Sequence, residues 1–145
     1  MARAMGAVEG LCDGAPVRVV NRSRGAVLAE RADVAASPWR RMRGLLGRSL
    51  APGDGLVIVP CWGVHTIGMA YPIDVVHVDR QGVVRRVLRE LAPWRIGPLV
   101  WKSNLVLELP AGAAAAEVGD RLAFEPPHAA YRRRMPARSP WPRPK

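Results

Sequence analysis

Three short apolar segments, at residues 56–59, 73–78 and 104–109, constrain the fold of this chain more than any other feature. Segment 56–59 is a continuous apolar run that ends at a proline, which is typical of a strand buried on both faces. Because glycines and prolines separate these segments, they predict strands that pack around a shared core rather than one long helix.

Segment 104–109 alternates in the way expected of a strand with two different faces. Leu105, Leu107 and Leu109 point one way, while Val106 and Glu108 point the other. We expect Glu108 to face solvent or to pair with an arginine across the sheet.

One helix is predicted from Ser37 to Gly47. Ser37 is a good N-cap, Pro38 suits the first helical position, and Gly47 suits the stop. The apolar face of this helix would comprise Trp39, Met42, Leu45 and Leu46. So short a helix must pack on a sheet to be stable.

Further strands are predicted at 17–21, 26–32, 67–69, 83–91 and 121–124. Segment 83–91 also fits a helical stripe, but its valines and the turn before it favour a strand. Many short strands and one short helix in the N-terminal half predict a mainly β fold, a compact antiparallel β-sandwich or barrel.

Charge and composition divide the chain, whose net charge is +10. Segment 126–145 is rich in arginine and proline and has no acidic residue, so we predict a disordered tail there. Residues 16–125 are predicted to form a single domain, and residues 1–15 a flexible segment. The tail suggests weak, nonspecific binding of anions such as nucleic acid or an anionic membrane.

The sequence also predicts a compartment. It contains no apolar run long enough to cross a membrane and no convincing secretory signal. The two cysteines, Cys12 and Cys61, are expected to be free thiols, as is usual in a reducing compartment. We expect a monomer in the cytoplasm.

Polar candidates for a site concentrate between Cys61 and Asp74. Cys61, His65 and Met69 offer a thiolate, an imidazole and a thioether, which suit copper(I) or zinc. Their spacing matches no known metal signature, so we predict no metal site and no cofactor. Cys61, His65 and Asp74 are also the residue types of a nucleophile, a base and an orienting acid, which makes them candidate catalytic residues.

Asp74 leads an otherwise apolar strand, where a buried carboxylate needs partners. We interpret it first as an acceptor of backbone N–H bonds that fixes the preceding turn, and only second as a catalytic acid. The candidate ligand-binding residues are Thr66, Met69, Asp74, Trp94 and Arg95. Trp94 and Arg95 place an aromatic ring beside a cation, which can stack a base or a sugar; the alternative is that the tryptophan caps the end of the fold.

Several short motifs occur in a fixed order along the chain: RGLLGR at 43–48, GM at 68–69, PIDV at 72–75, LELPAG at 107–112 and GD at 119–120. Together they resemble domain-of-unknown-function family 192, also called uncharacterised protein family 0127, over about residues 17–124. The resemblance implies a jelly-roll-like β domain and no established activity, cofactor or catalytic residue. The chain departs from the family at Gly68 and at Ala70–Tyr71, where many relatives carry an aromatic residue and a lysine–asparagine pair.

Three functions are compatible with these observations. The first, which we favour, is a non-enzymatic binding or accessory module for a small ligand or a protein partner. The second is a small hydrolytic or metal-assisted enzyme that uses Cys61, His65 and Asp74. The third is binding of an anionic polymer through the basic tail.

Overall fold

The computed structural model describes residue 8 and residues 10–128. This part of the chain forms seven strands and one helix: β1 Val17–Asn21, β2 Ala26–Ala35, α1 Pro38–Arg43, β3 Asp54–Ile58, β4 Ile73–Val78, β5 Val84–Leu91, β6 Leu105–Pro110 and β7 Leu122–Glu125. The prediction of a mainly β fold with one short helix is confirmed. Most of the predicted tail, 126–145, and part of segment 1–15 lie outside the described residues.

The strands form a single sheet in the order β5-β4-β6-β3-β2-β1-β7. Its two edges approach each other, because Val83 forms a bridge with Arg121 and the Val84 amide donates to the Asp120 carbonyl at 2.8 Å. The sheet is therefore curled into a half-barrel rather than lying flat.

One strand pair differs from the antiparallel prediction. Strands β2 and β3 run parallel, with Asp33 opposite Leu56 and Ala35 opposite Ile58, whereas every other named pair is antiparallel. Parallel neighbours need a crossover connection. Helix α1 and the turns after it supply this crossover, and this places α1 over one face of the sheet.

Helix α1 is shorter than predicted and is capped differently. The Ser37 side chain makes no capping hydrogen bond. Instead, the Asp13 carboxylate accepts the backbone N–H groups of Ala36 at 2.8 Å and Ser37 at 3.0 Å. The helix ends at Arg43, because Gly44 has a positive φ of 50° that favours glycine.

The predicted strand at 67–69 is wrong, while the strand choice for 83–91 is confirmed by β5. At 67–69 the chain turns: the Met69 amide donates to the Thr66 carbonyl at 3.1 Å, and Gly68 has a φ of 86°. A left-handed residue of this kind interrupts an extended strand. Because of this turn, Met69 packs against a face of the sheet and is not part of a strand.

Both faces of the central strands are buried. The inner face of the half-barrel packs a large apolar cluster that includes Val34, Val57, Val76 and Leu107. The outer face packs a second cluster, formed by Ala35, Leu45, Leu56, Ile58, Val64, Met69, Ile73, Val75 and Val106. This outer cluster includes residues of the 44–50 and 60–71 segments, so these irregular segments cover the sheet there. Among the described residues, no helix is long and apolar enough to cross a membrane.

Candidate functional site

A cavity of about 350 Å³ lies between helix α1 and the outer face of the sheet. Its walls come from α1 and the turn after it, from segment 60–69, and from β3 and β6. The lining residues are Pro38, Arg41, Met42, Arg43, Gly44, Leu45, Leu46, Ile58, Pro60, Cys61, Gly63, Val64, His65, Ile67, Met69 and Glu108. We call this space the Glu108 cavity, after its only acidic lining residue among those described.

Glu108 reaches the cavity from the middle of the sheet. It lies on β6, opposite Leu56 of β3 on one side and Val75 of β4 on the other. Both neighbours belong to the outer apolar cluster, and Glu108 itself is only 4% exposed. The Oε2 atom of Glu108 has no hydrogen-bond partner among the described residues.

Burial in these apolar surroundings raises the pKa of Glu108 from 4.5 to about 8. At neutral pH the carboxyl group is therefore mostly protonated, and it presents an O–H donor as well as acceptor oxygens. Our expectation that Glu108 faces solvent or pairs with an arginine is wrong. Segments 44–50 and 60–71, which form neither helix nor strand in the structure, cover the face of β6 on which Glu108 lies.

Sequence reasoning thus missed Glu108 as a site residue, although one signal was present. Segment 105–110 reads LVLELP, and Glu108 is its only charged residue. A lone carboxyl in an apolar strand indicates either an exposed face or a functional group. The sequence did not show which of these holds.

Cys61 lines the same cavity and is half-buried. Its thiol donates to the Gly63 carbonyl at 3.0 Å. Burial raises the pKa of the Cys61 thiol above its usual range; the charge of Glu108 adds to this rise, while the Arg41 guanidinium opposes it. Cys61 is therefore a thiol rather than a reactive thiolate at neutral pH.

Arg41 supplies a positive charge to the cavity wall. Its Nη1 donates to the Pro60 carbonyl at 3.3 Å, and its Nε has no hydrogen-bond partner among the described residues. The cavity therefore combines apolar side chains with two guanidinium groups, those of Arg41 and Arg43, in its wall and one carboxyl at its floor.

Three of the candidates from the sequence meet in this cavity, because Cys61, His65 and Met69 all line it. Asp74 does not line it. The Asp74 carboxylate accepts the Glu90 amide at 2.8 Å and the Gly112 and Ala114 amides at 3.0 Å each. Asp74 thus holds β4, the end of β5 and the loop after β6 together.

Thr66 also lies away from the cavity lining and is fully buried. Its hydroxyl donates to the Ala92 carbonyl at 2.5 Å and accepts the Arg95 amide at 2.9 Å. Trp94 and Arg95 are exposed and line none of the described cavities. Among the described residues, no three His, Cys, Asp or Glu side chains are arranged to hold a metal ion.

A buried polar pair supports the cavity wall from behind. Ser103 Oγ donates to the Cys61 carbonyl at 2.9 Å and lies 3.0 Å from His77 Nδ1. Burial lowers the pKa of His77 from 6.5 to about 4, so its imidazole is neutral at pH 7. These contacts fix Cys61 against the ends of β4 and β6.

The Glu108 cavity continues outward into a shallower apolar groove of about 590 Å³. Both spaces share the wall formed by residues 60–67. The groove adds Trp62, Ile96 and Leu99, which are 61%, 78% and 83% exposed. A ligand whose apolar part is too long for the cavity could extend along this groove.

The fold and this cavity define a small β half-barrel domain with a partly open cavity of ligand size between its helix and its sheet. The sequence profile of DUF192, described as an uncharacterized ACR, matches residues 19–124. The chain therefore belongs to the DUF192 family. No curated protein matches the sequence.

Two solved structures share the fold. A protein of unknown function from Novosphingobium aromaticivorans DSM 12444 is 24% identical, with a TM-score of 0.62 over 74% of this chain and 82% of its own. A protein described as a candidate transcription regulator from Sinorhizobium meliloti 1021 is also 24% identical, with a TM-score of 0.63 over 79% of this chain and 98% of its own. At this identity the two structures establish the fold alone.

Proposed function

We propose that this protein is a non-enzymatic binding module that holds a small ligand in the Glu108 cavity. The observation that carries the proposal is the Glu108 carboxyl, which is buried at the cavity floor and has an oxygen without a hydrogen-bond partner among the residues that the structure describes. A buried polar group without a partner costs about 1–3 kcal/mol. A ligand that completes its hydrogen bonds would recover this cost on binding.

The lining indicates the chemistry of the ligand. A volume of about 350 Å³ suits a small molecule, and Leu45, Ile58, Val64 and Met69 favour an apolar body. The raised pKa of Glu108 makes its carboxyl a donor at neutral pH, so the ligand should present a carbonyl or hydroxyl oxygen to it. The positive charge of Arg41 disfavours a cationic ligand.

The experiment uses cyclohexanone as a probe, because it combines a compact apolar ring with one carbonyl acceptor. It is titrated into the ¹⁵N-labelled full-length protein and followed by two-dimensional NMR. The expected result is a saturable shift of the backbone amides of Gly63, Val64 and Glu108. Shifts confined to residues outside the cavity would contradict the proposal.

Two variants of similar size separate hydrogen bonding from filling of the cavity. Glu108→Leu removes the donor and should weaken binding of cyclohexanone about 5-fold, since a hydrogen bond contributes about 1 kcal/mol. Glu108→Gln keeps an N–H donor and should retain most of the affinity. If Glu108→Leu bound cyclohexanone as tightly as the wild type does, Glu108 would not be part of the binding site.

The enzymatic use of Cys61, His65 and Asp74 is a second proposal. It is supported by the presence of Cys61 and His65 in one cavity. The three backbone bonds to Asp74 and the raised pKa of Cys61 favour the binding module over it. If the protein is such an enzyme, the wild type should hydrolyse a chromogenic ester and Cys61→Ser should not. A wild-type protein that does not turn the ester over would contradict this second proposal.

Binding of an anionic polymer by the tail at 126–145 is a third proposal, and most of that segment lies outside the described residues. We also propose a monomer in a reducing compartment such as the cytoplasm, in keeping with the free thiols of Cys12 and Cys61. Light scattering after size-exclusion chromatography tests the monomer, and a dimer mass would contradict it.

A further inference from the structure

A separate cleft of about 360 Å³ lies next to the turn that joins β4 to β5. Two tryptophans and three basic residues line it: Trp62, Trp101, Arg80, Arg85 and Lys102. We call it the tryptophan cleft. It shares Pro60 with the Glu108 cavity and Trp62 with the groove, and its other lining residues belong to neither space.

The two tryptophans are unusually exposed for their type. Trp62 is 61% exposed and Trp101 is 87% exposed, whereas tryptophan is highly buried on average. Their segments are fixed side by side, because the Val100 amide donates to the Trp62 carbonyl at 2.8 Å. Packing within the described residues therefore leaves much of both rings free to contact a partner.

The charge of the cleft is positive. Asp79 is its only acidic lining residue among those described, and it is itself buried. The Asp79 carboxylate accepts the Gln81 and Val83 amides at 2.9 Å each and pairs with Arg85 at 2.7 Å. Arg85 therefore balances Asp79.

Two cations remain in the cleft after this pairing. Arg80 and Lys102 are exposed, and neither forms an ion pair with a described residue. The cleft thus joins two exposed aromatic rings to two cations that have no counter-charge within the described part of the chain.

From this arrangement we infer that the tryptophan cleft binds single-stranded nucleic acid, with bases stacked on Trp62 and Trp101 and phosphates beside Arg80 and Lys102. Stacking platforms within a basic groove are the recurring means of binding single strands. A neutral oligosaccharide would leave both cations without a counter-charge, and an acidic peptide would leave the rings unused. A duplex would not fit this mode, because its bases are already stacked on each other.

The test is fluorescence anisotropy of a labelled short oligo(dT) with the full-length protein. Trp101→Ala and Trp62→Ala should each weaken binding roughly 5- to 100-fold, the usual effect of losing one stacking platform. Trp39→Ala is the matched control, since Trp39 on α1 is also 61% exposed but does not line the cleft. It should bind as the wild type does. Because Trp101 is almost fully exposed, its replacement should leave the circular dichroism spectrum unchanged.

A second arm tests the cations. In the double variant Arg80→Gln/Lys102→Gln, the slope of log affinity against log salt should decrease in magnitude by about 1.4, which is the loss of two contacts to single-strand phosphates. Unchanged affinity of Trp62→Ala and Trp101→Ala would assign binding to the tail and overturn the inference. The inference would also be overturned by any of three results: no binding of oligo(dT), equally strong competition by a duplex, or binding of maltohexaose instead of oligo(dT).

Discussion

Replacing Glu108 by glutamine should change how the stability of the protein depends on pH. The pKa of Glu108 is about 8 in the folded protein and 4.5 in its ordinary state. Between these pH values the folded protein keeps a proton that the unfolded chain has released. The free energy of unfolding therefore falls as the pH rises, by about 1.4 kcal/mol per pH unit.

His77 acts in the opposite direction at lower pH. Its pKa is about 4 in the folded protein and 6.5 in its ordinary state, so the unfolded chain binds the extra proton and stability rises between these values. The contributions of His77 and Glu108 largely cancel between pH 4.5 and 6.5. From pH 6.5 to 8 the contribution of Glu108 dominates, and the wild type should lose about 1–2 kcal/mol there.

Urea unfolding followed by circular dichroism measures this loss at several pH values between 6.5 and 8. Glu108→Gln should have a nearly constant free energy of unfolding across this range, because the amide does not titrate. Glu90→Gln is the matched control: Glu90 is exposed, and its replacement should follow the wild type. The reasoning is refuted if the wild type is flat over this range, or if Glu108→Gln declines in parallel with it.

Three further predictions concern other residues. Asp74→Ala should lower the free energy of unfolding by about 3–5 kcal/mol, because it leaves three backbone N–H groups without their buried acceptor; a near-zero change by urea unfolding would contradict this. At neutral pH iodoacetamide should alkylate Cys61 at least about 10-fold more slowly than the exposed Cys12, because burial raises the pKa of Cys61. Mass spectrometry follows the two reactions, and equal rates would contradict this prediction. The pKa of Asp120 is lowered to about 2, mainly by its bond from Asn21, so stability gained above pH 3.8 should be lost as the pH falls toward 2. In Asp120→Asn this acid-side loss should be smaller in thermal melts, and an unchanged pH profile would argue against it.

The strands could be predicted because their signal is local. Segments 56–59, 73–78 and 104–109 all correspond to observed strands, which places β3, β4 and β6 at the centre of the sheet. The parallel pairing of β2 and β3 could not be predicted in the same way. This pairing depends on the route that the chain takes from β2 through α1 to β3. Such a route leaves no periodic pattern in the sequence.

The candidate site could be predicted only in part, for a related reason. Cys61, His65 and Met69 are close in sequence, so their approach to one cavity required little long-range information. Glu108 reaches the same cavity from a distant strand, and its burial depends on irregular segments that cover the sheet. Asp74 accepts backbone N–H bonds as interpreted, but it does not fix the turn before it: its donors Glu90, Gly112 and Ala114 lie far along the chain.

The measurement that tests this account most directly is the titration of the Glu108 carboxyl carbon by ¹³C NMR in the folded protein, with Glu108→Gln used to assign the resonance. A buried, unpartnered carboxyl at the floor of a ligand cavity predicts a midpoint near pH 8. A midpoint near 4.5 would show that water or an ion partner reaches this group, and it would contradict the site proposed here.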